Sequence, residues 1–284
     1  MSFDKRLTPA RDDIAADHLE GILPAPRYVA GMKHRVSAGR TELLRQPGGG
    51  LDTELLHGED FVVYDVADGW AWGQAALDSY VGYVDVRDLV ARGEDPTHRV
   101  ATLGAQVYRA PELKTLPSGR FPFGARLYVA DTTDTHAQIG PASWVPLRQL
   151  APLALPAPDW VAVAETFLGV PYVWGGRSSE GLDCSALVQL SLQAAGQTCP
   201  RDSDLQANTL GNDLAEDTRL QRGDLIFWQG HVGIMRDADT LLHANAFHMS
   251  VIAEPLDQAI ERIGANEFGA VVRRARLDPD ATGA

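Results

Sequence analysis

The sequence predicts an α+β chain: an all-β N-terminal half, then a unit in which helices come first and an antiparallel sheet follows. Three observations predict it. Residues 36–150 break into short β-branched and aromatic runs punctuated by Asp-Gly, Ser-Gly and single Gly signals, the pattern of small barrels. That stretch repeats loosely, with VGYVDVRDL at 81–89 answered by ASWVPLRQL at 142–150. Beyond the proline-rich linker APLALPAPD (151–159), three helical patterns precede a series of strand patterns.

Four segments follow in order: an arm over 1–35, a first barrel over 36–92, a second over 97–151, and a C-terminal domain over 152–284. In the arm, PARDDIAADHL (9–19) predicts a short helix and LPAPRYVAG (23–31) an extended stretch. In the first barrel FVVYD (61–65), the turn Asp68-Gly69 and the alternating WAWGQ (70–74) predict a hairpin. YVGYV (80–84) predicts a strand whose Gly82 marks a bend or bulge. The second barrel repeats the plan with QVY (106–108), the turn LPSG (116–119), a strand FGARLYV (123–129) and SWVP (143–146). In the C-terminal domain, helices are predicted from Trp160 to Leu168, from Ala186 to Ala195, in PRDSDLQANTLG (200–211) and from Leu256 to Ile263. Strands are predicted at 225–228, 231–235, 240–244, 250–253 and 270–277.

Composition narrows the function. With 284 residues, 45% hydrophobic and 22% charged, the chain is an ordinary globular protein large enough for several domains. A net charge of −13 argues against nucleic acid and anionic membrane as main partners, since both require basic patches. Two cysteines, Cys184 and Cys199, do not make a disulfide framework; they could pair with each other, but a reducing compartment is the simpler reading. The N-terminus MSFDKRLTPARDD has no apolar core of a secretory signal, so the expectation is a cytoplasmic protein. His18, His34, His57, His98, His136 and His248 show no ligand spacing, so neither a metal nor a cofactor is expected.

The chemistry is expected around GVPYVWGGRSSEGLDCS (169–185). Cys184 stands where a loop enters a helix. Unpartnered backbone N–H groups and the positive end of the helix dipole there favour the thiolate, the nucleophilic form. A cysteine nucleophile needs a base, and the base needs an orienting group. His231 opens one strand and His243 lies on the next; if these pair antiparallel, His231 serves as base and His243 as orienter. The Cys184 N–H and Tyr172 are candidate donors for an oxyanion.

PYVWGG, GLDCSALVQ, PRDSDLQ, RGDLIFW, HVGIM and LLHA, in this order over about 155–275, resemble the NlpC-like, papain-related cell-wall cysteine peptidases. The tandem repeat resembles bacterial SH3-like domains, and the combination resembles the family's dipeptidyl-peptidase-type members. The resemblance implies a papain-like catalytic domain behind two SH3-like barrels. It implies a γ-D-glutamyl-L-diamino acid endopeptidase acting on small peptidoglycan stem peptides with a free N-terminal L-alanine, in cell-wall recycling. It assigns Cys184, His231 and His243 as the catalytic triad, and Tyr172, Asp183, Ser185, Arg201, Asp202 and Ser203 to the substrate pocket. An SH3-like wall would add Tyr80 and an acid, Glu54 or Glu59. Asp183, Ser185, Asp202 and Ser203 are equally residues that cap helices, and Arg201 one that orders a pocket through a neighbouring acid. Two other readings stay open: an amidase or acyltransferase using the same thioester, and a non-catalytic module that binds wall peptides.

Overall fold

The computed structural model describes residues 3–112 and 114–278, and the chain divides into two compact units, 1–154 and 155–284. Residues 1–2 of the expected arm and 279–284 of the expected C-terminal domain lie outside the described residues.

The arm contains no α-helix over 9–19. Ala15–Ala16 pairs in parallel with Tyr28–Val29, and Asp17–Leu19 makes a 3₁₀ turn. Burial decides this. Ile14 is fully buried against Trp72 and Val81, and the Arg11 guanidinium lies 4.6 Å above the Trp72 ring while bonding Asp65 at 2.6 Å. Such packing outweighs the modest helix propensity of this short stretch.

The first barrel is one seven-stranded sheet. Its order is Leu51–Leu56, Arg40–Leu44, Val81–Asp85, Trp70–Ala75, Asp60–Ala67, Met32–Val36 and Leu89–Ala91. Phe61 and Val63 point into a core shared with Val36, Leu43, Leu55 and Val84, while Val62 and Tyr64 face the other way. Asp68 and Gly69, with φ of 51° and 83°, form the two-residue turn whose twist suits a hairpin. Pairing of 70–74 with 81–85 runs unbroken through Gly82, so no bulge lies there. Gly82 marks a close approach instead: a Cβ would sit 2.2 Å from the Leu43 side chain.

The second barrel combines a five-stranded sheet with a three-stranded one formed by His98–Val100, Arg126–Leu127 and Leu150–Pro152. The strand expected over 123–129 shortens to Arg126–Leu127, because Gly124 turns the chain at φ 84°. Both barrels end alike, in strand, 3₁₀ turn and strand: 81–85, 86–88 and 89–91 in one, 143–146, 147–149 and 150–152 in the other. The sequence repeat is therefore a repeat of the closing device.

In the second unit we label α1 (Trp160–Glu165), α2 (Cys184–Ala194), α3 (Ser203–Thr209) and α4 (Leu256–Asn266). The strands of its six-stranded sheet are β1 (Asn212–Asp213), β2 (Asp224–Trp228), β3 (His231–Met235), β4 (Thr240–Asn245), β5 (Ser250–Pro255) and β6 (Arg273–Arg276). Asp159 caps α1 by accepting from the N–H groups of Val161 and Ala162. The helix ends three residues before the expected Leu168, and the chain leaves through turns to Gly169 at φ 82°. The sheet order is β1-β6-β2-β3-β4-β5, antiparallel throughout. Ile226, Trp228, Met235 and Leu241 pack on Ala259 and Ile263 of α4, and α2 lies against β3 and β4. Apart from Gln193, every residue of α2 is buried, so its first residue, Cys184, is held by the core.

Candidate active site

Asp183 precedes α2 and caps it through Ala186 N–H at 2.9 Å. The same carboxylate accepts from Gly175 N–H at 3.0 Å, from Ser185 Oγ at 3.2 Å, and from both ends of the Arg201 guanidinium at 2.9 and 2.7 Å. Arg201 also donates to Ser185 Oγ at 2.9 Å and to the Gly176 carbonyl at 3.2 Å. This forked pair is buried, with the Arg201 side chain only 1% exposed. It ties the glycine loop, the helix entry and the start of α3 into one rigid frame. The adjacent glycines earn their place here: Gly175 turns at φ 75°, and a Cβ on Gly176 would lie 2.6 Å from the Gly181 carbonyl oxygen.

Cys184 is buried within this frame. Backbone N–H groups of Val232 and Ser185 donate toward its sulfur. Burial, with the neighbouring Asp183 carboxylate, nevertheless pushes the thiol up to about 12. The expectation that the helix entry favours thiolate is corrected: desolvation and a like charge outweigh the helix end. The Val232 contact sets the sulfur beside the first peptide of β3, next to His231.

His231 and His243 come together through pairing of β3 with β4, in which Ile234 lies opposite Leu242. The turn Gln229–Gly230, with Gly230 at φ 90°, joins β2 to β3 and places Trp228 opposite His231. His231 Nε2 lies 2.8 Å from His243 Nδ1, and both rings are buried. The His231 ring stacks on Phe268 at 5.3 Å and 6° and tilts against Trp228 at 5.6 Å. Burial lowers the pKa of both histidines, His231 well below 6.5. Both rest neutral at physiological pH. The resting site is thus an uncharged thiol beside a neutral imidazole pair, which a proton transfer from sulfur to nitrogen would convert to the reactive form.

The remaining predicted residues are placed as follows. Tyr172 is half-buried, anchored through its N–H to the Met249 carbonyl at 3.0 Å. Burial and the nearby Cys184 and Asp183 push its phenol above the ordinary range. Asp202 and Ser203 stand at the start of α3, where Asp202 makes no side-chain capping bond. In the first barrel Tyr80 is buried in the core with Leu43 and Val84, Glu59 accepts from Leu56 N–H, and Glu54 pairs with Arg40 at 2.6 Å. Cys199 is a buried thiol that accepts a bond from Gln206 Nε2 at 3.4 Å. Sequence reasoning missed Glu254, Arg262, Asn245 and Phe268. His243 lies opposite Ile252 in the β4–β5 hairpin, so Glu254 projects on the same face one step along. Only the hairpin register reveals this.

Comparison with known proteins matches the NlpC/P60 family over residues 169–262, the stretch that carries Cys184, His231 and His243. That match lies wholly within the C-terminal unit. The bacterial dipeptidyl-peptidase Sh3 domain matches residues 43–89, within the first barrel. The chain is 36% identical over 110 residues to a gamma-D-glutamyl-L-lysine dipeptidyl-peptidase of Bacillus cereus, covering 36% of this chain and 32% of that protein. It is 32% identical over 98 residues to dipeptidyl-peptidase 6 of Lysinibacillus sphaericus, covering 34% and 36% respectively. The chain thus spans about a third of the length of these curated relatives. A crystal structure of an NlpC/P60 family protein from Bacillus cereus superposes with a TM-score of 0.73 at 20% identity, over 87% of this chain and all of that one. The likeness establishes the shared fold: a papain-like α+β unit preceded by small SH3-like barrels.

Proposed function

We propose that the protein is a cysteine endopeptidase that hydrolyses the bond between the γ-carboxyl of D-glutamate and the following diamino acid in peptidoglycan stem peptides. The observation that carries this reading is the Cys184 sulfur at the Val232 N–H, beside the buried His231–His243 pair, in a stretch whose relatives are named for that bond. In the proposed cycle His231 takes the thiol proton as Cys184 sulfur attacks the γ-carbonyl carbon. The Cys184 N–H and Tyr172 stabilise the oxyanion. His231 then returns the proton to the departing α-amine, leaving a thioester on Cys184. A water, deprotonated by His231, attacks the thioester, and the L-Ala-D-Glu dipeptide leaves as the thiol re-forms.

Relatives named dipeptidyl-peptidases, and a matching Sh3 domain of the same description, support a substrate read from its amino end. We therefore include a free N-terminal L-alanine in the proposal, with Tyr172, Asp183, Ser185, Arg201, Asp202 and Ser203 around it. Asp183 and Arg201 hold one another, so their part is to shape the pocket. The proposed setting is turnover of released wall peptides in the cytoplasm, where a free thiol stays reduced. Incubating L-Ala-γ-D-Glu-L-Lys, its diaminopimelate counterpart and an N-acetylated tripeptide tests the reading. Cleavage of the free peptides with at least tenfold discrimination against the blocked one is expected; equal cleavage overturns the amine requirement.

A further inference from the structure

Behind His243 lies a group that nothing above uses. Glu254 Oε1 on β5 is 2.8 Å from His243 Nε2, the nitrogen facing away from His231. The same oxygen accepts from Arg262 Nη2 on α4 at 2.5 Å. Arg262 is held from the far side by Glu267 and lies 4.6 Å above the Phe247 ring. The side chains of Glu254 and Arg262 are each 14% exposed. Although burial works against its charge, the bonds from His243 and Arg262 keep the Glu254 carboxyl below its ordinary range, so it stays ionised and can only accept.

A second group makes the opposite demand. Asn245 Nδ2 is 3.0 Å from the same His243 Nε2. The Asn245 carbonyl oxygen already accepts from His248 N–H at 2.8 Å and from His248 Nδ1 at 3.0 Å, so its NH₂ end is the one facing His243. An amide NH₂ asks Nε2 for a lone pair, whereas a carboxylate asks it for a proton. The two outcomes differ at the other end of the chain. If Nε2 of His243 carries the proton, its Nδ1 accepts from His231 Nε2–H, and His231 Nδ1 is left bare. If Asn245 prevails, His243 Nδ1–H donates to His231 Nε2, and His231 carries its proton on Nδ1. In the first case the nitrogen left for Cys184 is a base; in the second it is an N–H and takes no proton. The charge-assisted bond to Glu254 is the stronger of the two.

We propose that Glu254, clamped by Arg262, is a positioning residue that sets the direction of the His243–His231 hydrogen-bond chain, so that His231 keeps an unprotonated nitrogen for Cys184. This rests on the reading of Cys184, His231 and His243 as the reacting set, and it adds Glu254 and Arg262 to what that set requires.

Glu254→Leu is the sharp test. One Glu254 oxygen bonds both His243 and Arg262; leucine fills the space without an acceptor and leaves Asn245 demanding a lone pair from His243 Nε2. In protein labelled with ¹⁵N-histidine, side-chain nitrogen spectra near pH 8, where histidines are neutral, report which nitrogen carries the proton. Wild type is expected to show His231 protonated at Nε2 and bare at Nδ1; Glu254→Leu is expected to show the reverse. Turnover of the free tripeptide is expected to fall about 10²-fold in kcat with KM nearly unchanged, and Glu254→Asp to restore part of it. An unchanged tautomer, or wild-type kcat, in Glu254→Leu overturns the inference while leaving the cysteine mechanism standing. If Glu254→Leu fails to fold, wild type still decides, because a protonated Nδ1 on His231 is incompatible with the inference. Undiminished turnover by Cys184→Ala instead overturns the underlying reading, and the nitrogen spectra judge Glu254 independently of it.

Discussion

Replacing Arg201 by methionine removes a guanidinium that holds the Cys184 loop, while keeping most of the side-chain volume. The bonds lost include the fork to Asp183 at 2.9 and 2.7 Å, and those to Ser185 Oγ and the Gly176 carbonyl. The Asp183 carboxylate stays behind, its side chain 12% exposed, with N–H groups of Gly175 and Ala186 and the Ser185 hydroxyl as its remaining donors. Breaking one partner of a buried pair costs about 3–5 kcal/mol, because the other charge is stranded. The three remaining donors offset part of that, which places the expected loss near the lower end, about 3 kcal/mol. For a unit the size of 155–284 this lowers Tm by about 10 °C. The assay is thermal unfolding followed by tryptophan fluorescence, with Trp160, Trp174 and Trp228 reporting on this unit. Adding Asp183→Asn to Arg201→Met removes the stranded charge and is expected to recover part of the loss. A destabilisation of Arg201→Met below about 1 kcal/mol, the scale of an exposed pair, would refute the argument that this pair frames the site.

Three further outcomes follow from the same physics. Burial depresses the pKa of His231 and His243 below 6.5. As pH falls below about 6.5 the unfolded chain therefore takes up protons that the folded chain refuses, and stability, complete above that pH, is lost at about 1.4 kcal/mol per pH unit for each histidine. Urea midpoints at about pH 7.5 and 5.5 should differ accordingly, and equal midpoints would contradict the sign. With its thiol pushed up to about 12, free Cys184 should react with iodoacetamide at a rate that keeps climbing from neutral to alkaline pH; a plateau reached in acid would reveal a preformed thiolate. Gly58→Ala forces a Cβ to within 2.0 Å of the Arg126 carbonyl oxygen at φ 80° and should cost the N-terminal unit about 2–4 kcal/mol in chemical denaturation, a value near zero showing that the turn can shift.

What the sequence made legible was whatever local pattern dictates. Alternation in FVVYD and WAWGQ, the Asp68-Gly69 turn and the Asp183 cap each act over a few residues, and each produces the element it predicts. Helix propensity misled at 9–19, where Ile14 gains more by packing on Trp72 than the segment gains as a helix. The three-dimensional terms were invisible. The Cys184 thiol was expected to ionise from its place at a helix entry, but the fold buries it beside Asp183, and desolvation dominates. Glu254 and Arg262 carry no local signature. They meet His243 through a hairpin register and a following helix, and neither can be read from spacing alone.

The central claim is that Cys184 is the nucleophile for cleavage after the γ-D-glutamyl residue. Mass spectrometry of L-Ala-γ-D-Glu-L-diamino acid tripeptide incubated with wild type and with Cys184→Ala tests it most directly. The account predicts L-Ala-D-Glu and the free diamino acid from wild type, neither from Cys184→Ala, and a dipeptidyl adduct on Cys184 in acid-quenched wild type. Release of the same products by Cys184→Ala, or cleavage at any other bond, would contradict it.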